Sequence, residues 1–456
     1  MILSLIAVTS SYRCTLASAA ATVHPANEGV GGPCAVAYSE QCPGGEVAGA
    51  ATSRRVPGRA HDRGLGGRTS SEARRHMASS AATLSTARLE ASIDRLCRRD
   101  IDSRSLLRAL ADRLRTAIPC DGLMLLRTDP MTVLPTDGVV DALPPALCKH
   151  FWDNELLEPD YNKFVDLARR DDNAATLCAA TQGDLMRSRR YARLYHPLGL
   201  GDELRVSFTA RDGSCWGIAQ LGRSDGVTFT DEERDQLAAV SSTVAEGLRD
   251  AFAVAGPARS EHTGPALIVL DDDGEVQAIT PAARRWMAEL VDSSATGMRP
   301  VPEPVYLVAG RARAARAGVG SDPAQVQVRT TAGVWLHLHA ACIDGAETLH
   351  DAVAVVIAPA RAPDLAPLIA LAYRITAREQ EVLQFIARGL TTAEMAEQLG
   401  ISQHTVRDHV KALFSKVGVR SRTELVARVF ADHYFERLRA DAEVLSAVGL
   451  HASAGQ

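Results

Sequence analysis

The chain has 456 residues, a length that predicts about two to four domains. Its hydrophobic fraction of 46% is sufficient to form buried cores. A formal net charge of −5 excludes a chain that binds polyanions over its whole surface, so any basic surface must be local. Lysine is scarce, and two of the four lysines, Lys411 and Lys416, lie close together near the C-terminus.

The cysteines and the hydropathy pattern indicate the cellular compartment in which the protein is expected to work. The nine cysteines are odd in number, scattered and without a CxxC pair, which disfavours a zinc site and a disulfide scaffold. No apolar run approaches the roughly 20 residues of a membrane span. The apolar start of the chain lacks the positive segment that precedes the apolar core of a secretory signal. We therefore predict reduced thiols, a cytoplasmic location and no membrane partner.

Residues 1–80 are rich in Gly, Ala, Ser and Arg without a sustained period, a composition that does not form a core. Two explanations stay open. The segment is a disordered tail, or it is a non-native extension and the chain starts at Met77, where a clean helical pattern begins.

Residues 85–253 predict a mixed α+β region. Leu84–Ile118 has apolar residues at helical spacing, and Gly122–Arg127 has the composition of a strand. A helix over Ala142–Asp153 and a hairpin of two strands, Glu203–Thr209 and Cys215–Leu221, follow.

The region ends with Thr230 and Glu233, which form a capping box for a long amphipathic helix. The order of helix, strand, helix, hairpin and helix resembles a GAF domain. The segment HPLGLGDELRVSFTARDGSCWGIAQLGRSDGVTFTDEE is similar to the hairpin and final helix of GAF modules in LuxR-type regulators. The resemblance implies a sensory domain over 85–253.

Residues 264–359 predict a second α+β region. The segment ALIVLDDDGEVQAITPAARRWMAEL favours a strand, a turn, a second strand and a helix that begins near Pro281. Three further strands are predicted over Gln325–Thr330, Val334–Ala340 and Ala352–Ala358, and the middle of the region has no clear pattern. This order resembles a small PAS domain. Residues 360–367, with Pro363 and Pro367, predict a stiff linker.

Residues 369–434 predict four short helices, and residues 435–456 a C-terminal tail. Three of the helices begin with a capping box, in which a hydroxyl residue precedes Glu by three positions. The boxes are Thr376 with Glu379, Thr391 with Glu394, and Ser421 with Glu424. Glycine follows each of the first three helices, as is typical of helix ends. The tight turn at Gly400-Ile401 places the second and third helices as a helix-turn-helix.

The third helix differs from the others because Ser402 caps it and Thr405 stands where they have Glu. A hydroxyl there leaves the positive helix N-terminus free to approach an anion, whereas a carboxylate repels phosphate. Arg407 and Lys411 are four positions apart and share one face, which His404 adjoins. Valines at positions 406 and 410 point the opposite way. The helix thus has a buried apolar side and an exposed basic side, which the major groove accepts.

These four helices resemble the LuxR/NarL family. The matching pattern is T-x-R-E-x-E-V-L, then G-L, E-M-A, I-S-x-x-T-V-x-x-H-V, K-V-G-V and R-x-E-L-V-A. The resemblance covers essentially the whole family domain but only about a seventh of the chain. It implies double-stranded DNA as partner and a homodimer on DNA, since members dimerise through the fourth helix and then bind a roughly palindromic site.

The resemblance also implies roles for single residues. Arg407 and Lys411 fall where members contact bases or phosphates, and Thr405 falls at a backbone-phosphate position. Asp408 falls at a groove-facing position, where its carboxylate is able to accept from cytosine N4 but repels phosphate. His404 replaces a frequent Lys or Arg, which weakens non-specific binding. The remaining predicted DNA-binding residues are the cap Ser402 and the phosphate contacts Lys416 and Arg422.

The two upstream regions contain residues that suit a ligand site, but core or surface packing is the favoured explanation for them. The aromatic candidates are Trp152, Tyr161, Tyr191, Tyr195, Trp216, Trp286 and Trp335. His150 and His196 are candidates for binding haem, and Cys120 and Cys215 for binding a tetrapyrrole. In the second region, His337 and His339 are candidates for binding an unspecified cofactor. Side chains of these types at such spacing are typical of a core or a surface, and we predict no cofactor and no metal.

Three functions are compatible with the sequence. The first is a transcription regulator that senses an unidentified small molecule or a partner and acts with RNA polymerase. The second is a non-sensing dimeric scaffold that binds DNA. The third is an enzyme targeted to DNA, which is disfavoured because the sequence lacks GxxxxGK, GxSxG and HExxH motifs. No receiver domain is recognisable, which disfavours control by phosphotransfer.

Overall fold

The computed structural model describes most of the chain between residues 86 and 431. The described residues are 86–99, 101–141, 145–224, 226–253, 266–293, 301–330, 332–344 and 351–431. The predictions for segment 1–80, including a start at Met77, and for the tail after residue 434 lie outside them.

The first region contains a five-stranded antiparallel sheet with the strand order β2-β1-β5-β4-β3. The strands are β1 (Gly122–Thr128), β2 (Pro135–Asp141), β3 (Ala174–Thr176), β4 (Leu200–Thr209) and β5 (Cys215–Ser224). The strands β4 and β5 form the predicted hairpin, in which Leu204 pairs with Leu221.

Helices cover both faces of this sheet. They are α1 (86–97), α2 (Ser103–Ala117), α3 (Pro145–Leu157), α4 (Phe164–Leu167), α5 (Leu177–Ala180), α6 (Asp231–Ala239) and α7 (Ser241–Ala253). Leu123 and Leu125 pack in the cluster that contains α2 and α7, whereas Met124 and Leu126 pack in the cluster that contains α3. Because neighbouring residues of a strand face opposite sides, a run that is apolar at every position requires two covered faces.

The continuous helix predicted over Leu84–Ile118 is wrong. The segment forms two helices, because Asp102 starts α2 by accepting hydrogen bonds from the backbone N–H groups of Arg104 and Ser105, both at 3.0 Å. The helix predicted after Thr230 is likewise divided, into α6 and α7, although the capping box of Thr230 and Glu233 is confirmed.

The second region contains a sheet with the same order, β7-β6-β10-β9-β8. Its strands are β6 (Ala266–Leu270), β7 (Val276–Ile279), β8 (Gln325–Arg329), β9 (Trp335–Cys342) and β10 (Val353–Pro359). The predicted opening of strand, turn, strand and helix is confirmed. Gly274 lies in the turn at φ +81°, and α8 (Pro281–Ser293) begins at Pro281.

The middle of the second region forms α9 (Glu303–Arg316), a helix that the sequence analysis did not predict. It packs against β9 on one side and against α3 of the first region on the other. Gly310 lies so close to α3 that a Cβ there would be 2.7 Å from Leu156 Cδ1. Tyr306 also donates a hydrogen bond to Asp153 across this contact. A helix buried on several sides has no amphipathic period, so its pattern was not recognisable.

The prediction of a stiff linker over 360–367 is wrong, because most of this segment is helical. Residues Ala362–Ala372 form α10, in which Pro363 falls in the first turn, where its missing N–H is not needed. The helix continues through Pro367 and packs against α7. Arg374, which lies two residues after the end of α10, forms an ion pair with Asp250 on α7 at 3.0 Å. The C-terminal helices thus follow a helix that is attached to the first region.

The C-terminal region contains the four predicted helices. They are α11 (Ala377–Ala387), α12 (Thr392–Leu399), α13 (Gln403–Val417) and α14 (Arg422–Val426). The capping boxes of α11 and α12 are confirmed. The box of α14 is altered, because Glu424 accepts from the N–H of Arg420 rather than from that of Ser421.

The predicted fold class, α+β regions followed by an all-α domain, is confirmed over the described residues. Among those residues, no helix has the length and apolar character needed to cross a bilayer.

Candidate nucleic-acid interface

A tight turn sets the angle between α12 and α13. Gly400 adopts φ +62° and ψ +35°, a left-handed conformation that glycine reaches without the steric cost of a Cβ. The guanidinium of Arg378 on α11 donates to the carbonyl of Leu399 at 2.7 Å, which ties the end of α12 to α11. The predicted helix-turn-helix is therefore held by a local turn and by a contact from outside it.

The inner face of α13 is part of the domain core. Val406, Val410 and Leu413 are buried in the same cluster as Val382 of α11 and Met395 of α12. This packing fixes the rotation of α13 about its axis. Arg407 and Asp408, which lie between the valines, therefore face outward.

The N-terminus of α13 is capped as predicted. Ser402 accepts a hydrogen bond from the backbone N–H of Thr405 at 3.1 Å, and the two hydroxyl oxygens lie 2.9 Å apart. Both residues are exposed, and neither carries a charge. This helix end thus keeps its partial positive charge available to an anion.

The outer face of α13 presents the two predicted cations, Arg407 and Lys411. Both side chains are exposed, and no hydrogen bond or ion pair joins either of them to a residue that the structure describes. One helical turn separates them, so they lie along the same stripe of the surface. A cation without a partner on a rigid helix is available to bind a phosphate or a base.

His404 and Asp408 occupy the same stripe and contact each other. His404 Nδ1 lies 3.0 Å from Asp408 Oδ2, and their side chains are 81% and 56% exposed. The sequence analysis placed both residues on the exposed face but did not pair them. Gln403, the first residue of α13, is also exposed there and was not predicted, because an uncharged side chain gave no signal beyond its place after the cap.

Lys416 and Arg422, which were predicted to contact phosphate, are engaged in contacts within the domain. Lys416 Nζ donates to Glu379 Oε2 at 2.6 Å and to the carbonyl of Arg374 at 2.8 Å. Arg422 donates to the carbonyl of Leu390 at 3.1 Å and to Thr392 Oγ1 at 2.7 Å. These contacts connect helices of the domain, and a phosphate contact by either residue stays a prediction.

The ion pair of Lys416 also affects Glu379. Partial burial raises the pKa of the Glu379 carboxyl, but hydrogen bonds from Lys416 and Thr376 outweigh it and hold this pKa below its ordinary value. Glu379 therefore stays ionised at neutral pH and keeps Lys416 in place.

The aromatic candidates in the upstream regions are mostly core residues. Five of them are buried: Trp152, Tyr191, Tyr195, Trp216 and Trp286. Tyr161 and Trp335 are half-buried, and Trp335 packs against Phe252 of α7 with ring centroids 4.9 Å apart. A cavity of about 20 Å³ next to Trp152 has room for about one water molecule. The five buried side chains are thus part of the core, as the packing interpretation expects.

The histidine and cysteine candidates among the described residues have different surroundings. His150 and His196 are exposed, and burial raises the pKa of the Cys215 thiol to about 12. His337 Nδ1 contacts Gln327 Nε2 at 3.0 Å, and burial lowers the pKa of this imidazole. Within the described ranges, no group of three or more His, Cys, Asp or Glu side chains is arranged to hold a metal ion.

Residues 374–429 match the family model described as bacterial regulatory proteins, luxR family. The spore germination protein GerE of Bacillus subtilis is 38% identical over 55 residues, which are 12% of this chain and 74% of GerE. The probable transcriptional regulatory protein SgaR of Hyphomicrobium methylovorum is 45% identical over 53 residues, 12% of this chain and 25% of SgaR. The chain spans 22 to 36% of the length of SgaR and two other curated relatives.

One solved structure similar to part of this chain is a GAF domain. The GAF domain of a phosphoenolpyruvate-protein phosphotransferase from Coxiella burnetii is 16% identical with a TM-score of 0.28, and the match covers 37% of this chain and 96% of that domain.

Proposed function

Because this chain belongs to the luxR family of bacterial regulatory proteins, we propose that it is a sequence-specific DNA-binding regulator of transcription. The observation that carries the proposal is the outer face of α13. Arg407 and Lys411 are exposed there without partners among the described residues, while the opposite face of the same helix is fixed in the core. A helix with this distribution fits the major groove, which is about 12 Å wide.

Replacing Arg407 with alanine is expected to weaken binding to the preferred site by about 1–3 kcal/mol and to relax the base preference at one position of it. The reason is that Arg is the side chain that pairs best with guanine O6 and N7 in the major groove. The measurement is a selection from random duplexes with the full chain, followed by titration of the enriched duplex over a salt series.

Two further variants make that measurement specific. Arg388→Ala removes an exposed arginine beside α11, outside α13, and is expected to leave the enriched sequence unchanged. Lys411→Ala is expected to weaken binding to all sequences alike, because a lysine that contacts phosphate reads no base. The slope of log affinity against log salt concentration is expected to fall in magnitude by about one. Sequence-independent binding by the wild type would contradict specific regulation, and absence of binding would contradict a DNA-binding function.

We also propose that the protein binds DNA as a homodimer. Two copies of α13 related by twofold symmetry require half-sites about 34–36 Å apart, or one turn of DNA. The enriched sequence is then expected to be a palindrome. A dimeric regulator of this kind acts in the cytoplasm, and RNA polymerase is its further proposed partner.

We propose domains over residues 85–253, 264–359 and 369–434, and we propose that the two upstream domains control the third. The support is the attachment of α10 to α7 and the ion pair between Arg374 and Asp250. A ligand acts through such a contact only if it binds two arrangements with different affinity. If no small molecule, pH change or redox change altered DNA affinity, the upstream domains would be a dimerisation scaffold.

A further inference from the structure

The outer face of α13 contains a carboxylate where it approaches DNA. Asp408 lies between Arg407 and Lys411 in the sequence and is 56% exposed. DNA presents a phosphate charge about every 1.7 Å along its axis, so this carboxylate opposes binding wherever it does not meet a hydrogen-bond donor. It therefore affects which sequences the helix accepts.

The donors that the major groove offers are few. Cytosine N4 and adenine N6 carry amino hydrogens, while guanine O6 and N7, adenine N7 and thymine O4 are acceptors that repel a carboxylate. Adenine places its acceptor N7 beside its amino group, whereas cytosine presents the amino group alone. An ionised Asp408 in the groove thus favours cytosine over the other three bases.

His404 restricts the position of that carboxylate. The imidazole of His404 contacts this carboxylate, with Nδ1 lying 3.0 Å from Asp408 Oδ2. The contact leaves Oδ1 of Asp408 available for a base. It also joins residues one turn apart on a helix whose rotation is fixed by Val406 and Val410 in the core.

We propose that Asp408, oriented by His404, is a specificity-determining residue that accepts a hydrogen bond from cytosine N4 in each half-site. The inference rests on the proposed DNA-binding function. Asp408 acts on the base directly, and His404 is a positioning residue.

The experiment compares the enriched duplexes of the full-length wild type with those of D408N, H404A and E397Q. The wild type is expected to select cytosine at one position of each half-site. D408N is expected to lose this preference about fivefold or more, because the amide offers both a donor and an acceptor. Its affinity for unrelated duplexes is expected to rise, because one negative charge is removed. H404A is expected to keep cytosine with a smaller preference.

E397Q is the matched control, since Glu397 is an exposed carboxylate on α12 and its loss changes the net charge equally. It is expected to leave the base preference unchanged. Retention of the full cytosine preference by D408N, or selection of another base there by the wild type, would overturn the assignment of Asp408. An unchanged preference in H404A would overturn the role of His404. If the wild type bound no DNA, the proposed function itself would fail, which is a separate result.

Discussion

Replacing Glu203 with alanine is expected to lower the free energy of unfolding by about 3–5 kcal/mol, because it leaves two buried cations without their shared anion. Glu203 lies on β4 and is 1% exposed. Arg190 Nε donates to Glu203 Oε1 at 3.1 Å, and Arg205 Nε lies 3.2 Å from the same oxygen. Burial raises the pKa of Glu203, but the two arginines outweigh it and hold this pKa below its ordinary value.

The surroundings of the network compensate the two arginines only in part, since Arg190 keeps one other carboxylate nearby, Asp160, at 3.9 Å. Arg205 is fully buried, lies over the rings of Phe151 and Phe164, and has one other carboxylate partner, Glu155, at 2.8 Å. Removing Glu203 therefore leaves the positive charge of Arg205 only partly balanced, in a site that water does not reach. The expected loss is the cost of the uncompensated cations rather than the strength of one bond.

The measurement is chemical denaturation of the full chain followed by tryptophan fluorescence. Arg193→Ala is the matched control, because it removes an ion pair with Glu158 at 2.7 Å in the same region, with the arginine 64% exposed. Exposed pairs of this kind contribute about 0–1 kcal/mol. A loss below about 1 kcal/mol for Glu203→Ala would mean that the network does not stabilise the first region.

The buried network shows what local sequence signals miss. Glu203 and Arg205 are two positions apart on a strand, so they share a face, and charged residues in that pattern usually face solvent. Here helices cover that face, and the partners Glu155 and Arg190 come from other segments. Their pairing depends on tertiary contacts. The same reason explains Lys416, whose partner Glu379 is 37 positions away.

The candidate interface was more predictable because its determinants are local. The cap at Ser402, the glycine at position 400 and the spacing of the valines fix the outward direction of Arg407 and Lys411 without any distant residue. By contrast, α9 was missed because it is buried against two elements, and α10 because its prolines are typical of linkers as well as of a first helical turn.

The carboxyl of Asp129, which is buried between the two sheets, is expected to make the free energy of unfolding depend on pH. It follows β1, is 2% exposed, and accepts from the N–H of Met131 at 2.9 Å and from the N–H of Gln327 at 3.0 Å. Gln327 belongs to β8 of the second region. Burial raises the pKa of Asp129 to about 6, against the opposing effect of these two hydrogen bonds.

The direction of the effect follows from the two pKa values. Unfolded Asp has a pKa of about 3.9. Between that value and about 6 the folded chain holds a proton that the unfolded chain has lost. The contribution of Asp129 is therefore most favourable below about pH 4 and falls as pH rises through that window. Two units of pKa correspond to about 3 kcal/mol, which Asp129 costs at neutral pH.

The test compares the wild type with D129N in denaturant at pH 4 to 7. The amide does not titrate, and its altered hydrogen bonding adds an offset that is independent of pH. The other groups titrate equally in both proteins, so the difference isolates Asp129. We expect the wild type to lose about 2–3 kcal/mol relative to D129N as the pH rises.

D121N serves as the control for the pH dependence of the difference between the wild type and D129N. Hydrogen bonds from Ser224 hold the pKa of the exposed Asp121 below its ordinary value, so its titration lies below this window. Its difference from the wild type in free energy of unfolding is expected to change little from pH 4 to 7, because only the unfolded carboxyl titrates, near pH 4. A constant difference for D129N as well would show that Asp129 is solvated in solution, and that the contact between β8 and the end of β1 opens. A fall in the stability of the wild type relative to D129N, with no such fall relative to D121N, would support the buried position of Asp129. It would show that the contact between β8 and the end of β1 stays closed at neutral pH, although burying the ionised carboxyl destabilises the fold.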